Sequence, residues 1–235
     1  MKNIPIEERI IFALDVDSSE KAKQWVKLLE PHIHFYKVGL QLFLSSWFSI
    51  VDWIIERGHK VMLDLKFFDI PKTVALAMRQ LQDRKITFVT VHGQSPIIRA
   101  AVAEKKDLKV LAVTVLTSVS EEGIRELGFH GKIEDLVLRM AKRALELGCD
   151  GIVSSGHEAK YLRSFLGKEF YIVTPGIRPT RYCNDDQKRI VGPKDAILNG
   201  ADYIVVGRPI STAEDPLAMV ESMQHAISSA LSQLS

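Results

Sequence analysis

Short runs rich in β-branched and aromatic residues alternate along this chain with longer stretches whose apolar residues recur every three or four positions. The runs at 10–15, 35–39, 60–66, 86–92, 109–116, 151–154, 170–174 and 203–206 predict strands. The stretches at 20–29, 42–57, 73–84, 96–104, 133–147 and 157–166 predict amphipathic helices, and 217–231 predicts a closing one. Punctuation agrees: Gly58 and Gly148 follow helical runs, while Ser18-Ser19 and Ser95-Pro96 stand where helices begin. Eight strands, each followed by helical material and with no linker-like boundary, repeat or low-complexity tract, predict one α/β domain over residues 1–235. An open doubly wound sheet and a closed (β/α)8 TIM barrel both fit that alternation. The open dinucleotide-binding sheet calls for G-x-G-x-x-G after an early strand, whereas the first strand here runs into Asp15-Val16-Asp17. Eight units in 235 residues is the size of a compact barrel, which is the expected fold.

Alternation within the strands adds chemistry to this architecture. In the first strand Ile11, Ala13 and Asp15 share one face, opposite Ile10, Phe12 and Leu14. In the second, Phe35 and Lys37 oppose Tyr36 and Val38; in the third, Met62, Asp64 and Lys66 oppose Val61, Leu63 and Leu65. The wholly apolar face belongs under the helices. The other must point into the barrel, with its charges at the C-terminal mouth where such barrels keep their chemistry. Asp15, Lys37, Asp64 and Lys66 are therefore expected to converge. A structural ion-pair network closing the barrel end is the plain alternative. Desolvation offsets the attraction of buried pairs, however, so four such charges favour a functional cluster.

Anion chemistry is suggested past the last two strands. Gly176 and Gly207 allow backbone N–H groups to approach an anion, and Arg178 and Arg208 offer planar forks for phosphate oxygens. Barrels commonly bind phosphate at these two loops. The polar segment 178–191 is too long for a simple connection and suits a lid.

Composition mainly excludes. With 46% hydrophobic and 26% charged residues the chain is neither disordered nor collagen-like. Lys plus Arg number 31 against 29 for Asp plus Glu, which gives no electrostatic reason for a nucleic-acid or membrane partner. The apolar stretch 43–55 is broken by Ser45, Ser46, Ser49 and Asp52, so no membrane span is predicted. The start MKNIPIEERI lacks the apolar core of a secretory signal, and a cytoplasmic location is expected. Cys149 and Cys183 read as ordinary free thiols, too few for a disulfide framework or a four-ligand zinc site. His92 reads as a hydrogen-bonded structural histidine, and Trp25, Trp47 and Trp53 as packing residues.

The most specific signal follows the third strand: Asp64-Leu65-Lys66-Phe67-Phe68-Asp69-Ile70-Pro71-Lys72-Thr73. Pro71 suits the first turn of the next helix, and Asp69 stands where it would cap that helix. The segment carries D-x-K-x-x-D-I-P-x-T at all six specified positions. With it the chain resembles the orotidine 5′-phosphate decarboxylase family in its compact bacterial form. The resemblance runs nearly end to end, through A-L-D ending at Asp15, Y-K-V-G around Lys37, V-T-V-L-T-S at 113–118, T-P-G-I-R-P at 174–179 and V-G-R-P at 206–209.

The resemblance implies decarboxylation of orotidine 5′-phosphate to uridine 5′-phosphate and CO2, the last step of de novo pyrimidine nucleotide synthesis, with no cofactor and no metal. It implies Lys66 as proton donor to C6 and stabiliser of the developing carbanion, and Asp64 beside the departing carboxylate. Lys37 and Asp69 would complete the charge network. Asp15 and Lys37 would bond the ribose hydroxyls, and Thr117 and Ser118 would lie beside the pyrimidine. Arg178, Gln187, Gly207 and Arg208 would hold the phosphate, with Gln187 touching the base as well. Asp69 and Thr73 would reach into a neighbouring subunit's site and Ile70 would line the same region, so the implied active unit is a homodimer.

The difficulty of the reaction is electronic. The electron pair is left in an in-plane orbital at C6, and no ring carbonyl is conjugated with it. Most decarboxylases use a cofactor as electron sink, and nothing here resembles a cofactor lysine motif or a metal cluster. Electrostatics must then act: two carboxylates about 4 Å apart repel by about 4 kcal/mol at an effective dielectric of about 20. Two rivals remain. A Mg-dependent sugar-phosphate decarboxylase or synthase of the same superfamily shares D-x-K-x-x-D but needs a glutamate where this chain has Lys37. A non-catalytic barrel that only binds a phosphorylated ligand is the other.

Overall fold

The structure is a computed structural model and describes residues 2–116, 119, 121–126, 128–179 and 191–234. A short helix, α1 (Ile6–Arg9), leads into β1 (Ile10–Ala13), α2 (Ser19–Leu29), β2 (Phe35–Gly39), α3 (Leu40–Glu56) and β3 (Lys60–Phe67). There follow α4 (Pro71–Arg79), β4 (Phe88–His92), α5 (Ser95–Ala103), β5 (Lys109–Val113), α6 (Glu121–Glu126), α7 (Ile133–Glu146) and β6 (Gly151–Val153). The chain ends through α8 (Gly156–Leu166), β7 (Tyr171–Thr174), α9 (Pro193–Leu198), β8 (Tyr203–Val206), α10 (Arg208–Ser211) and α11 (Pro216–Leu234).

The eight strands run parallel in sequence order and close into a barrel, because β1 pairs with both β2 and β8. Phe12 marks the seam, opposite Tyr36 on one side and Val206 on the other. Period-two alternation divides the apolar residues into two cores. One lies between strands and helices and includes Ile10, Phe12 and Leu14; the other fills the barrel and includes Ile11, Ala13, Met62 and Val205. The inner core has an aromatic floor: Phe35, Phe88, Tyr171 and Tyr203 meet with ring centroids 5.3 to 5.9 Å apart.

Charges at the floor end play a structural part. Asp202 accepts the Ile172 N–H at 2.9 Å and pairs with Arg163 at 2.7 Å and Lys2 at 3.2 Å. It thereby ties the last strands to α8 and to the chain's start.

Element bounds differ from the sequence expectation mainly at the mouth. The first, fifth and sixth strands end earlier, at Ala13, Val113 and Val153. The cause is visible in the first: Leu14 N–H still donates across to Lys37 O at 3.0 Å, but Asp15 N–H turns back to Ala13 O at 2.9 Å. The fourth helix starts at Pro71 and ends at Arg79, with turns carrying the chain onward. Four helices, α1, α6, α9 and α10, were not predicted, being too short for apolar periodicity to register. Trp25 packs on Phe12, with centroids 5.5 Å apart. Trp47 corrects the expectation of a packing residue: its backbone is left-handed (φ 47°), kinking α3, and its side chain is 65% exposed. Among the described residues no helix is long and apolar enough to cross a membrane.

Candidate active site

The inward faces of the strands carry their apolar residues low in the barrel and their charges at the mouth. Phe35 lies in the aromatic floor, and Lys37, two residues on, is buried at the C-terminal end of the same strand. Its ammonium donates to Asp15 Oδ1 at 2.8 Å and lies 3.8 Å from Asp64 Oδ2. The Lys66 ammonium lies 2.9 Å from both oxygens of Asp64. Asp15, Lys37, Asp64 and Lys66 thus form an unbroken series of alternating sign. Gly39 leaves the series room: a Cβ there would stand 3.1 Å from Lys37 Nζ, which would have to shift by a few tenths of an ångström.

The end of β3 is irregular. Met62 pairs with Phe88 and Leu63 with Val89, yet Phe67 pairs with Val91, so the register slips before the strand ends. Lys66 takes up the slip in a left-handed backbone (φ 49°), a strained state for a residue that carries a Cβ. Its N–H donates to Thr90 Oγ1 at 2.9 Å, and the Thr90 hydroxyl donates to Asp64 Oδ1 at 2.9 Å. Burial by itself would push the Asp64 carboxyl up. The Lys37 and Lys66 ammoniums, with the hydrogen bonds from Lys66 and Thr90, outweigh that and hold it below the usual carboxylate range.

These charges line a cavity of about 250 Å³ that also reaches the loops after β7 and β8. Gly176 adopts a left-handed backbone (φ 76°) that favours glycine. Arg178 is only 6% exposed, and its guanidinium donates to Ile177 O at 2.9 Å. Its N–H donates to Val191 O at 3.0 Å, pinning together the two described ends of the segment expected to form a lid. Gly176, Arg178, Gly207 and Arg208 border the same cavity as Asp15, Lys37, Asp64 and Lys66. Four cationic and two anionic side chains therefore face one space, which suits a substrate with more than one negative charge. Among the described residues no three His, Cys, Asp or Glu side chains are grouped to hold a metal ion.

Other candidates lie elsewhere. Asp69, Ile70 and Thr73 are exposed and do not border this cavity within the chain; Asp69 Oδ1 accepts the Ile70 N–H at 2.6 Å. Thr117, Ser118, Gln187 and Cys183 lie outside the described residues. Cys149 is buried, and burial pushes its thiol up to about 12, which leaves it unreactive. His92 differs from expectation: its buried Nδ1 has no hydrogen-bond partner among the described residues, and its ring packs on Phe68 at 4.5 Å. The sequence reading missed Thr90. The available signal was a polar residue in the run Phe88-Val89-Thr90-Val91-His92, on the same face as the inward Phe88.

Comparison with known proteins agrees with this geometry. Residues 8–223 match the model of the family described as "Orotidine 5′-phosphate decarboxylase / HUMPS family". The chain is 48% identical over 225 residues to the orotidine 5′-phosphate decarboxylase of Methylococcus capsulatus, covering 95% of this chain and 93% of that protein. It is 44% identical over 226 residues to the protein of that name from Nitrobacter winogradskyi, covering 95% and 94%. Among solved structures, the crystal structure of orotidine 5′-phosphate decarboxylase from Lactobacillus acidophilus matches with a TM-score of 0.83 at 36% identity, over 94% of this chain and 99% of that one. With its motif, its closed barrel and its charged mouth, the chain belongs to the orotidine 5′-phosphate decarboxylase / HUMPS family.

Proposed function

We propose that this protein decarboxylates orotidine 5′-phosphate to uridine 5′-phosphate and CO2 in pyrimidine nucleotide synthesis, with residues 1–235 acting as one barrel domain. The observation that carries this reading is the alternating series Asp15–Lys37–Asp64–Lys66 on the wall of a cavity that also holds Arg178 and Arg208. The arginines and the glycine loops suit the phosphate, and Asp15 with Lys37 suits the ribose hydroxyls. The substrate carboxylate would then lie against Asp64 and beside the Lys66 ammonium. The bond from C6 to the carboxylate breaks, its electron pair stays on C6, and CO2 leaves. A proton from Lys66 Nζ joins C6, and the neutral amine regains a proton from water. Crowding by Asp64 raises the energy of the bound carboxylate, while Lys66 stabilises the charge that develops at C6. Only the second interaction strengthens toward the transition state.

The same reading makes the active unit a homodimer, with Asp69, Ile70 and Thr73 serving the partner's site and Thr117, Ser118 and Gln187 completing the grip on the nucleotide. Support comes from the exposure of Asp69 and Thr73 away from their own chain's cavity. Leu40, Leu44, Trp47, Phe68 and Ile70 add a set of exposed apolar side chains on the two βα units that carry Lys37 and Lys66. The sugar-phosphate branch is disfavoured by Lys37, whose ammonium would repel a divalent cation beside Asp64. Loss of orotidine 5′-phosphate ultraviolet absorbance, with uridine 5′-phosphate as product and chelator present, tests the reading. No loss, together with Mg-dependent turnover of a sugar phosphate, would overturn it.

A further inference from the structure

We propose that Thr90 is a positioning residue for the decarboxylation, its hydroxyl holding the Asp64 carboxylate and the Lys66 backbone in one arrangement. The inference rests on the reading of Asp64 and Lys66 as the reacting pair. Thr90 is fully buried on β4 and does not border the cavity, so it acts on those two residues and not on the substrate.

One hydroxyl can donate once and accept, and here it does both toward the site. It donates to Asp64 Oδ1 and accepts from Lys66 N–H, each at 2.9 Å. The second bond answers a local need. The register slip between Leu63 and Phe67 takes the Lys66 amide out of the regular ladder with β4, and the left-handed backbone of Lys66 is strained. The Thr90 side chain supplies the acceptor for that amide. The first bond fixes which way the Asp64 carboxylate faces, so that Oδ1 meets Thr90 and Lys66 while Oδ2 turns to Lys66 and Lys37. Valine has nearly the same shape and equal fitness for a strand, but it would take the acceptor from the half-buried Lys66 N–H and leave Asp64 Oδ1 held by the Lys66 ammonium alone. A hydroxyl at this position therefore serves both neighbours at once.

The test compares Thr90→Val, Thr90→Ser and Lys66→Ala with the native enzyme, measuring kcat and KM for orotidine 5′-phosphate. Thr90→Val should lower kcat about tenfold to a hundredfold and change KM by less than about threefold, since it loosens reacting groups and leaves the phosphate grip intact. Thr90→Ser, which restores the hydroxyl, should return kcat to within about threefold of native. A native kcat in Thr90→Val, or a Thr90→Ser enzyme as impaired as Thr90→Val, overturns the proposal. If Thr90→Val does not fold, Thr90→Cys decides, because a thiol of similar size is a poor partner for both groups: native turnover overturns the proposal and a kcat loss with steady KM supports it. Lys66→Ala separates the two levels. If it turns over normally, the reading of Lys66 falls and the Thr90 proposal with it; if it is inactive while Thr90→Val is normal, only the Thr90 proposal falls.

Discussion

Lys66 places its ammonium 2.9 Å from each oxygen of Asp64, the residue two places before it in the same strand. In a regular strand such residues point the same way without curling toward each other. Here the left-handed backbone at Lys66 brings the charges into one symmetric contact. A pair made this tightly within one strand is not a fastening between elements. It is a local charge pattern presented to whatever enters the mouth.

Lys66→Ala removes the proposed proton donor and the cation nearest C6 together. Turnover should fall by about 10⁴-fold or more, since proton delivery is worth about 10² to 10⁴ and charge stabilisation about 10² to 10³. Binding of uridine 5′-phosphate, measured by calorimetry, should survive through Arg178 and Arg208. A variant keeping a tenth of native turnover would remove Lys66 from the mechanism.

Activity should withstand exhaustive dialysis against a chelator. The cavity acids Asp15 and Asp64 are each already paired with lysine, and a divalent ion would have to displace an ammonium to reach them. Loss of activity that Mg²⁺ restores would transfer the assignment to the sugar-phosphate branch.

Mixed dimers test the shared site. Lys66→Ala and Asp69→Asn homodimers should each be nearly inactive. Refolding equal amounts together should restore roughly one quarter of native activity per total site, because about half the dimers are mixed and each then holds one intact site. Single-variant refolds serve as controls. No recovery in verified mixed dimers would mean that Asp69 serves its own chain.

Stability should depend on pH through His92. Burial holds this imidazole below its ordinary 6.5, so the unfolded chain takes up the proton first as pH falls. The resulting stability is complete above pH 6.5 and is lost as pH drops from there through the lowered native value. Urea unfolding of the native protein and of His92→Phe from pH 8 to about pH 5 should give a shallower acid decline for the variant. His59, also lowered by burial, leaves part of the decline in place. Parallel curves would show that His92 does not titrate between the folded and unfolded states.

Much of this was legible in the residues. Period-two alternation assigned Ile11 and Ala13 to the barrel interior and Ile10 and Phe12 to the helix side, and both assignments match the structure. The convergence of Asp15, Lys37, Asp64 and Lys66 followed from the same alternation. What stayed hidden depends on contacts between strands. Nothing in Asp64-Leu65-Lys66 announces a left-handed residue, and the contact of Thr90 with Asp64 needs the register of β3 against β4. Trp47 looked like packing because helical spacing says nothing of a kink. His92 looked hydrogen-bonded because its neighbour Phe68 comes from a different strand end.

The seam of the barrel has a consequence for folding. Ile10 and Phe12 of β1 pair with Ile204 and Val206 of β8, across roughly two hundred residues of chain. Gly207, just past that seam, lies so close that a Cβ there would stand 3.3 Å from Ala13 Cβ and 3.6 Å from Asp15 Oδ2. One flank of the cavity therefore consists of the first and the eighth strands of the barrel. Until β8 docks, β1 carries an unpaired edge, and no partly folded form that lacks this pairing owns a complete cavity. The mouth of this molecule is whole only once two strands far apart in sequence have met.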